Sequence, residues 1–419
     1  MELVSDCLKR IEGREPEVHA WAFVDPDLAL SQARARDSEA AHGPKPLGLL
    51  HGVPVGVKDI LETVDMPTEY GSAIHRGNRP GEDCAHVAAL RAAGAVILGK
   101  TVTTELACPF PVHTLNPHDP ERTPGVSSSG SGAAVGDFMV PLANGTQTGG
   151  SVIRPAALCG IHGYKASLSE LDPSGILHLK PFIDTLGLFA RSLADIALMR
   201  AALTGKPAAV EALGAGQIPR VGVCRTEQWP AAQPEMVAMI EQVARLLADA
   251  GAGAVDVDMP AEVGEAMETF QIITGWEGAK ANAMEIEGHL DELNPWARAG
   301  AIAAKDYTEV QYEDAKAAAR RGQAALGALF DDYDLLITPS AAGESPKDLT
   351  GIETRSFNSS WNLMHVPCIN LPAFSGPNGM PVGLQVVGPQ DQDGRLLGLA
   401  GWIEQRIAQA MGNLPAAIP

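Results

Sequence analysis

A chain of 419 residues, 45% hydrophobic, 20% charged and 5% aromatic, has enough apolar content for a large core and lies far from disordered compositions. Its 51 acidic side chains outnumber 31 basic ones, and the formal net charge of −20 repels polyanions, which excludes a broad nucleic-acid footprint or adhesion to an anionic membrane. No run of about eighteen apolar residues occurs, so no membrane-spanning helix is expected and the protein is predicted to be soluble.

The chain opens Met1-Glu2-Leu3-Val4-Ser5-Asp6-Cys7, with acids where a secretory leader would carry positive charge. Helix-like patterns with short breaks continue to about Gly43. Val53–Val57 is a short β-prone run that ends at Lys58-Asp59. Cys84–Ala93 then predicts a helix, and Ala95-Val96-Ile97-Leu98 a buried strand. The stretch from Asn116 to Ser131 is dense in Pro, Gly, Ser and Asn and is predicted as loop. Ala133–Val140 reads as the start of a buried helix, and Gly145–Ser151 as a second glycine-rich loop.

Farther on, Met236, Val237, Met239, Ile240, Val243 and Leu247 fall at helical spacing. Strands at Ala254–Val257 and Leu335–Thr338 bracket a long charged helix near Tyr307–Leu329, and Pro381–Val387 is the last strand. Strands alternating with helices predict an α/β layered fold around a parallel or mixed sheet. With no repeat, low-complexity tract or linker, one domain over residues 1–419 is the simplest organisation. The six cysteines are scattered with no C-x-x-C pair, a pattern that fits reduced thiols in the cytoplasm better than a disulfide framework or a zinc site.

The chemistry concentrates in two segments, Pro124-Gly125-Val126-Ser127-Ser128-Ser129-Gly130-Ser131 and Gly145-Thr146-Gln147-Thr148-Gly149-Gly150-Ser151-Val152-Ile153-Arg154-Pro155. Glycine lets the main chain approach a ligand closely, and a Gly-Gly pair before a serine can turn successive N–H groups toward one point, as an oxyanion hole requires. A single Ser-Gly run is more often a flexible turn; two flanking an apolar segment are harder to read that way. A nucleophilic serine needs a base, yet no G-x-S-x-G and no histidine in a triad setting is present. Lysine can serve when burial keeps it neutral, and Lys58 follows an apolar run that could carry its stem inward. A Lys beside an Asp is equally a common solvated pair, and spacing alone does not decide.

Two other motifs compete for attention. Gly94-Ala95-Val96-Ile97-Leu98-Gly99-Lys100-Thr101 matches the phosphate-loop pattern G-x-x-x-x-G-K-[ST], but its interior reads as a strand with the helix before it, so the match is taken as accidental. His113 and His118 lie in a Pro-rich loop without an acidic or cysteine cluster, which argues against a metal site. Cys108 and Cys159, near the motifs, read as small buried fillers.

Taken in order, Gly52–Asp59, the serine-rich loop, Gly145–Gly160, Asp184-Thr185-Leu186-Gly187 and Pro381-Val382-Gly383-Leu384-Gln385 resemble the amidase signature family over nearly the whole chain. The Ser-Ser-Ser-Gly-Ser loop and Gln147 are most similar to malonamidase-type members. The resemblance implies a three-layer α/β/α sandwich with a central mixed, twisted β-sheet and a signature core over about residues 50–200. It implies a Ser–cis-Ser–Lys triad in which Ser151 is the nucleophile, Ser127 the bridging serine on a cis peptide bond, and Lys58 the base. The backbone N–H groups of Thr148, Gly149, Gly150 and Ser151 would form the oxyanion hole, with no metal and no cofactor. The substrate would be a small-molecule amide, carboxylate-bearing or an aryl amide, ester or carbamate.

Two positions depart from the family pattern. Val126 stands where glycine is usual, and a β-branched residue tolerates φ > 0 badly. His365 also replaces a common glycine and is expected to narrow or polarise the pocket. Arg154 matches an arginine that malonamidase-like members use on a substrate carboxylate, a buried salt bridge being the rival role. Residues near Ala107–Phe110, Ile176–Phe182, Thr274–Trp276 and Met364–His365 are expected to complete the substrate-binding walls. A homodimer is the commonest arrangement by base rate. The alternative function is a catalytically silent binding or partner protein on the same fold; a tRNA-transamidating role fits poorly with the charge.

Overall fold

The computed structural model describes residues 1–419 except 44, 209–213, 215, 350–355 and 412–419. The two apolar runs noted above, Val53–Val57 and Ala95–Leu98, fall in the strands Pro54–Lys58 and Val96–Thr101, which pair in parallel and are joined by a crossover that contains the helix Ala85–Ala92. Every residue of both strands is buried, which is why they read as near-continuous runs rather than alternating ones.

They belong to an eleven-stranded sheet. In chain order its strands are β1 Trp21–Val24, β2 Pro54–Lys58, β3 Val96–Thr101, β4 Leu142–Gln147, β5 His162–Lys165, β6 Thr185–Ala190, β7 Val221–Cys224, β8 Val255–Val257, β9 Leu335–Pro339, β10 Cys368–Ser375 and β11 Pro381–Val387. Across the sheet they run β1-β3-β2-β4-β6-β5-β10-β11-β9-β7-β8. The pairs β2/β3, β2/β4, β7/β9 and β7/β8 are parallel. The other six, from β1/β3 at one end to β11/β9, are antiparallel, so the sheet is mixed.

Alternate residues of one strand feed different cores, as the two faces of a strand demand. Ile97 of β3, Leu142 of β4 and Leu186 and Leu188 of β6 pack with Val87, Ile196, Val243 and Ile403 from helices on one side. Val96 and Leu98 of β3, Ala143 of β4 and Phe189 of β6 pack with Val4, Ile11, Ala29 and Ala134 from helices on the other. The result is the α/β/α sandwich. A third apolar cluster joins the helices Ala261–Glu268, Phe270–Ala281, Glu309–Leu329 and Ser359–Leu363.

Two boundaries differ from the sequence reading. The predicted loop Asn116–Ser131 ends early, because the helix Ser129–Gly136 starts inside it and all eight of its residues are buried. Small residues are required there: a Cβ on Gly130 would lie 2.2 Å from the Ala20 carbonyl oxygen. The predicted glycine-rich loop Gly145–Ser151 is strand β4 through Gln147, which leaves only residues 148–151 as the turn.

Candidate active site

The parallel strands β2 and β4 end side by side, and their last residues set the chemistry. Lys58, at the end of β2, is fully buried. Its Nζ donates to Ser127 Oγ at 2.9 Å and to Thr146 Oγ1, on β4, at 2.8 Å. Burial drives the Lys58 amine down from 10.5 to about 7, with Asp184 pulling upward and Lys180 downward. At that value a neutral amine with a free lone pair is accessible at ordinary pH.

Ser127 follows a cis Val126–Ser127 peptide bond. Gly125, with φ 86°, takes the left-handed conformation in this turn, and Val126 is not among the positive-φ residues. The anticipated conflict at the β-branched residue is thus avoided by one step along the chain. The next amide, Ser128 N, donates to the Ser151 carbonyl at 3.3 Å, which ties the two serine loops together.

The 148–151 turn is braced from beneath. Gln147 Oε1 accepts the N–H groups of Val152 and Ile153 at 2.8 and 2.9 Å. Gln147 Nε2 donates to Asn362 Oδ1 at 2.8 Å, while Asn362 Nδ2 donates to the Gln147 and Ile183 carbonyls at 2.7 and 2.9 Å. Thr148 Oγ1 donates to Asp184 Oδ1 at 2.5 Å, and Asp184 Oδ2 accepts from Lys180 N at 2.9 Å. The Gly149 carbonyl accepts from Ser356 and Ser359 hydroxyls. In a trans peptide, fixing that carbonyl turns the Gly150 N–H the opposite way. Among the described residues, no protein acceptor engages the N–H groups of Thr148, Gly149, Gly150 or Ser151.

Above this turn lies a cavity of about 520 Å³. Val126, Thr148, Gly149, Gly150, Ser151 and Arg154 line it, with Lys58 and Ser127 buried beneath. The remaining wall is largely apolar and comes from Leu106–Pro109 and from the helices Phe270–Ala281 and Pro295–Ala304, including Phe270 and Trp296. Of the stretches expected to shape it, Ala107–Pro109, Lys180, Thr274 and Gly275 do so.

His365, expected at the pocket, is not among the lining residues. It lies within the packed shell, with Nε2 2.6 Å from the Phe182 carbonyl and Nδ1 3.2 Å from Gln323 Nε2. Its φ of 59° explains why glycine would also suit the position. Cys108, expected as a buried filler, instead forms part of the cavity wall, whereas Cys159 is buried with Sγ against the Pro124 carbonyl. The phosphate-loop look-alike is β3 itself, and its Lys100 is buried against Asp59 at 3.2 Å. The roles of Thr146, Asp184 and Asn362 escaped the sequence reading; the first two sit inside quoted motifs, but nothing in the string links them to Lys58 or to the 148–151 turn.

A family model described as Amidase matches residues 2–397. The putative amidase AmiD of Mycobacterium tuberculosis is 35% identical over 439 residues, which span 97% of this chain and 90% of that one. A glutamyl-tRNA(Gln) amidotransferase component from Acidothermus cellulolyticus is 33% identical over 471 residues, 99% of this chain and 92% of the relative. Among solved structures, the native peptide amidase from Stenotrophomonas maltophilia superimposes with a TM-score of 0.83 at 28% identity, covering 97% of this chain and 93% of its own. With a family match over almost its whole length, the chain belongs to the amidase family, hydrolases that cleave the carbon–nitrogen bond of amides.

Proposed function

We propose that this amidase cleaves small-molecule amides through an acyl-enzyme on Ser151, with Ser127 and Lys58 as the proton relay. The observation that carries the assignment is Lys58, fully buried, brought to about 7, and 2.9 Å from the Ser127 hydroxyl. Neutral Lys58 accepts the Ser127 proton as Ser127 takes that of Ser151, and the Ser151 oxygen adds to the amide carbonyl. The backbone N–H groups of Thr148, Gly149, Gly150 and Ser151 hold the oxyanion. The relay then runs backward: Ser127 protonates the leaving nitrogen and is reprotonated by Lys58. Water resolves the ester by the same path.

The apolar wall with Phe270 and Trp296 supports an acyl or amine portion with aliphatic or aryl bulk. Arg154, close beneath Gly150, supports a carboxylate-bearing substrate as one member of that class. The six cysteines are unbridged, five of them buried, which supports a cytoplasmic setting; among the described residues no helix is long and apolar enough to cross a membrane.

The test is turnover of malonamate, aliphatic amides, an anilide and an aryl carbamate by wild type and Ser151→Ala, alongside fluorophosphonate labelling. Hydrolysis and labelling by wild type alone support the relay, and the preferred substrate reads the role of Arg154. Turnover retained by Ser151→Ala would reject Ser151 as nucleophile. Silence in both assays would favour a non-hydrolytic role as one component of a larger assembly.

A further inference from the structure

Away from the serine–lysine site, His75, His178 and Glu285 converge from three distant parts of the chain. His75 ends the short 3-10 turn Ala73–His75, His178 lies in the connection between β5 and β6, and Glu285 sits in the helix Ala283–Gly288. One donor atom from each lies within 4.8 Å of the other two. His75 Nε2 is 2.6 Å from Glu285 Oε1, and His178 Nε2 is 3.7 Å from the same oxygen. His178 and Glu285 are buried, the carboxylate at 1% exposure.

Hydrogen bonding orders the protons on His178. Its Nδ1 faces Asn282 Oδ1 at 2.9 Å. An amide oxygen only accepts, so Nδ1 carries the proton and Nε2 is left with its lone pair. Among the described residues, neither that buried Nε2 nor Glu285 Oε2 has a hydrogen-bond partner. A lone pair turned toward a carboxylate in a buried site is unfavourable unless something positive lies between them. Tyr70 packs edge-on against both imidazoles, with ring centroids 4.9 Å from His75 and 4.5 Å from His178, which fixes their planes.

We propose that His75, His178 and Glu285 bind one divalent transition-metal ion, of the class of Zn²⁺, at the edge of the substrate cavity. Two imidazole nitrogens and a carboxylate suit Zn²⁺ or Co²⁺, whereas Mg²⁺ and Ca²⁺ prefer oxygen alone. Asn282 supplies the orienting bond that ligating histidines characteristically make through their other nitrogen. The ion takes no part in the acyl transfer. Asn282 and Ile286, on either side of Glu285, line the cavity, so the ion ties that stretch of wall to the turn of His75 and the loop of His178. The inference is independent of the roles of Ser151 and Lys58.

The test uses the full-length, untagged protein freed of metal with a chelator. It is titrated with Zn²⁺ by calorimetry, melted with and without Zn²⁺, and titrated with Co²⁺ under visible absorption. Expected are uptake of one ion per chain, a higher melting temperature with Zn²⁺, and a tetrahedral Co²⁺ band. His178→Ala and Glu285→Gln should each abolish the band, and Asn282→Ala should weaken Zn²⁺ binding about 10–100-fold. Should the buried variants fail to fold, His75→Ala at the least buried ligand carries the mutational arm. Wild type without stoichiometric uptake overturns the proposal, as does uptake that persists unchanged in His75→Ala.

Discussion

An exposed lysine at neutral pH is an ammonium ion and has no lone pair with which to accept a proton. Lys58 is brought to about 7 by burial, so its neutral fraction rises as pH rises through that value. The expected pH–rate profile for kcat/KM therefore climbs tenfold per unit below about pH 7 and flattens above it; a profile already flat at pH 5 would exclude Lys58 as the base. The same shift bears on stability. The unfolded chain keeps the ammonium up to about 10.5 while the fold loses it near 7, so the folded state binds fewer protons across that window. Stability should rise with pH from about 7 to 10.5, and the full penalty applies below 7. At about 1.4 kcal/mol per pH unit this is on the order of 5 kcal/mol, against about 1 kcal/mol for each of the two hydroxyl hydrogen bonds. Lys58→Met should accordingly be inactive yet more resistant to urea than wild type at pH 7, with the gap closing toward pH 10. A variant less stable at pH 7 would contradict the desolvation argument. Of this site, the sequence alone offers a lysine after an apolar run and two glycine-serine segments. Choosing Ser127 and Ser151 among neighbouring serines rests on family resemblance, because a hydrogen bond between residues 58 and 127 leaves no local trace.

The turn that carries Ser151 is held by elements, not by its own residues. Strand β4 delivers Gln147, Val152 and the first residue of the helix Ile153–Leu158 present their amides to it, and Asn362 from the helix Ser359–Leu363 locks its other end. Gln147→Ala leaves two buried N–H groups and the Asn362 oxygen without this partner, so a loss of about 1–3 kcal/mol is expected in urea denaturation. It should lower kcat more than it raises KM, because the cavity walls stand on other elements while the 148–151 amides shift. Equal effects on both would mean that Gln147 supports binding in general. These strands also explain what the sequence hides. Ala95–Leu98 is readable because it is apolar and uninterrupted, and Val53–Val57 because three valines outweigh Pro54 and Gly56. The runs of β4, β5 and β6 contain Gly145, Gly163 and Gly187, which weigh against a strand by propensity. The structure supplies the reason: a Cβ on Gly187 would lie 2.6 Å from the Tyr164 carbonyl oxygen and 2.8 Å from Val152, so close packing overrides propensity. β1 and β7, four residues each, are too short for a period to register.

Over the whole molecule, 51 acidic side chains face 31 basic ones, so ion pairing cannot neutralise the surface. Some pairs are well placed, such as Asp334 between Arg220 and Arg395, but each exposed pair contributes only about 0–1 kcal/mol and is itself weakened by salt. The excess of acids acts over longer distances. At 0.01 M salt the screening length is about 30 Å, long enough for charges across the protein to repel one another, and at 0.1 M it falls to about 10 Å. Folding brings those charges closer than the unfolded chain does, so repulsion at low salt destabilises the compact state. The melting temperature should therefore rise as NaCl is increased from about 0.01 to 0.15 M, with most of the gain in the lower part of the range, where the screening length changes most. Sodium chloride is the proper probe, since sulfate or phosphate would also strengthen apolar burial and confuse the two effects. A melting temperature that falls over this range would mean that the local pairs outweigh the net charge, and that the acids are spread finely enough around the arginines and lysines for attraction to dominate at short range.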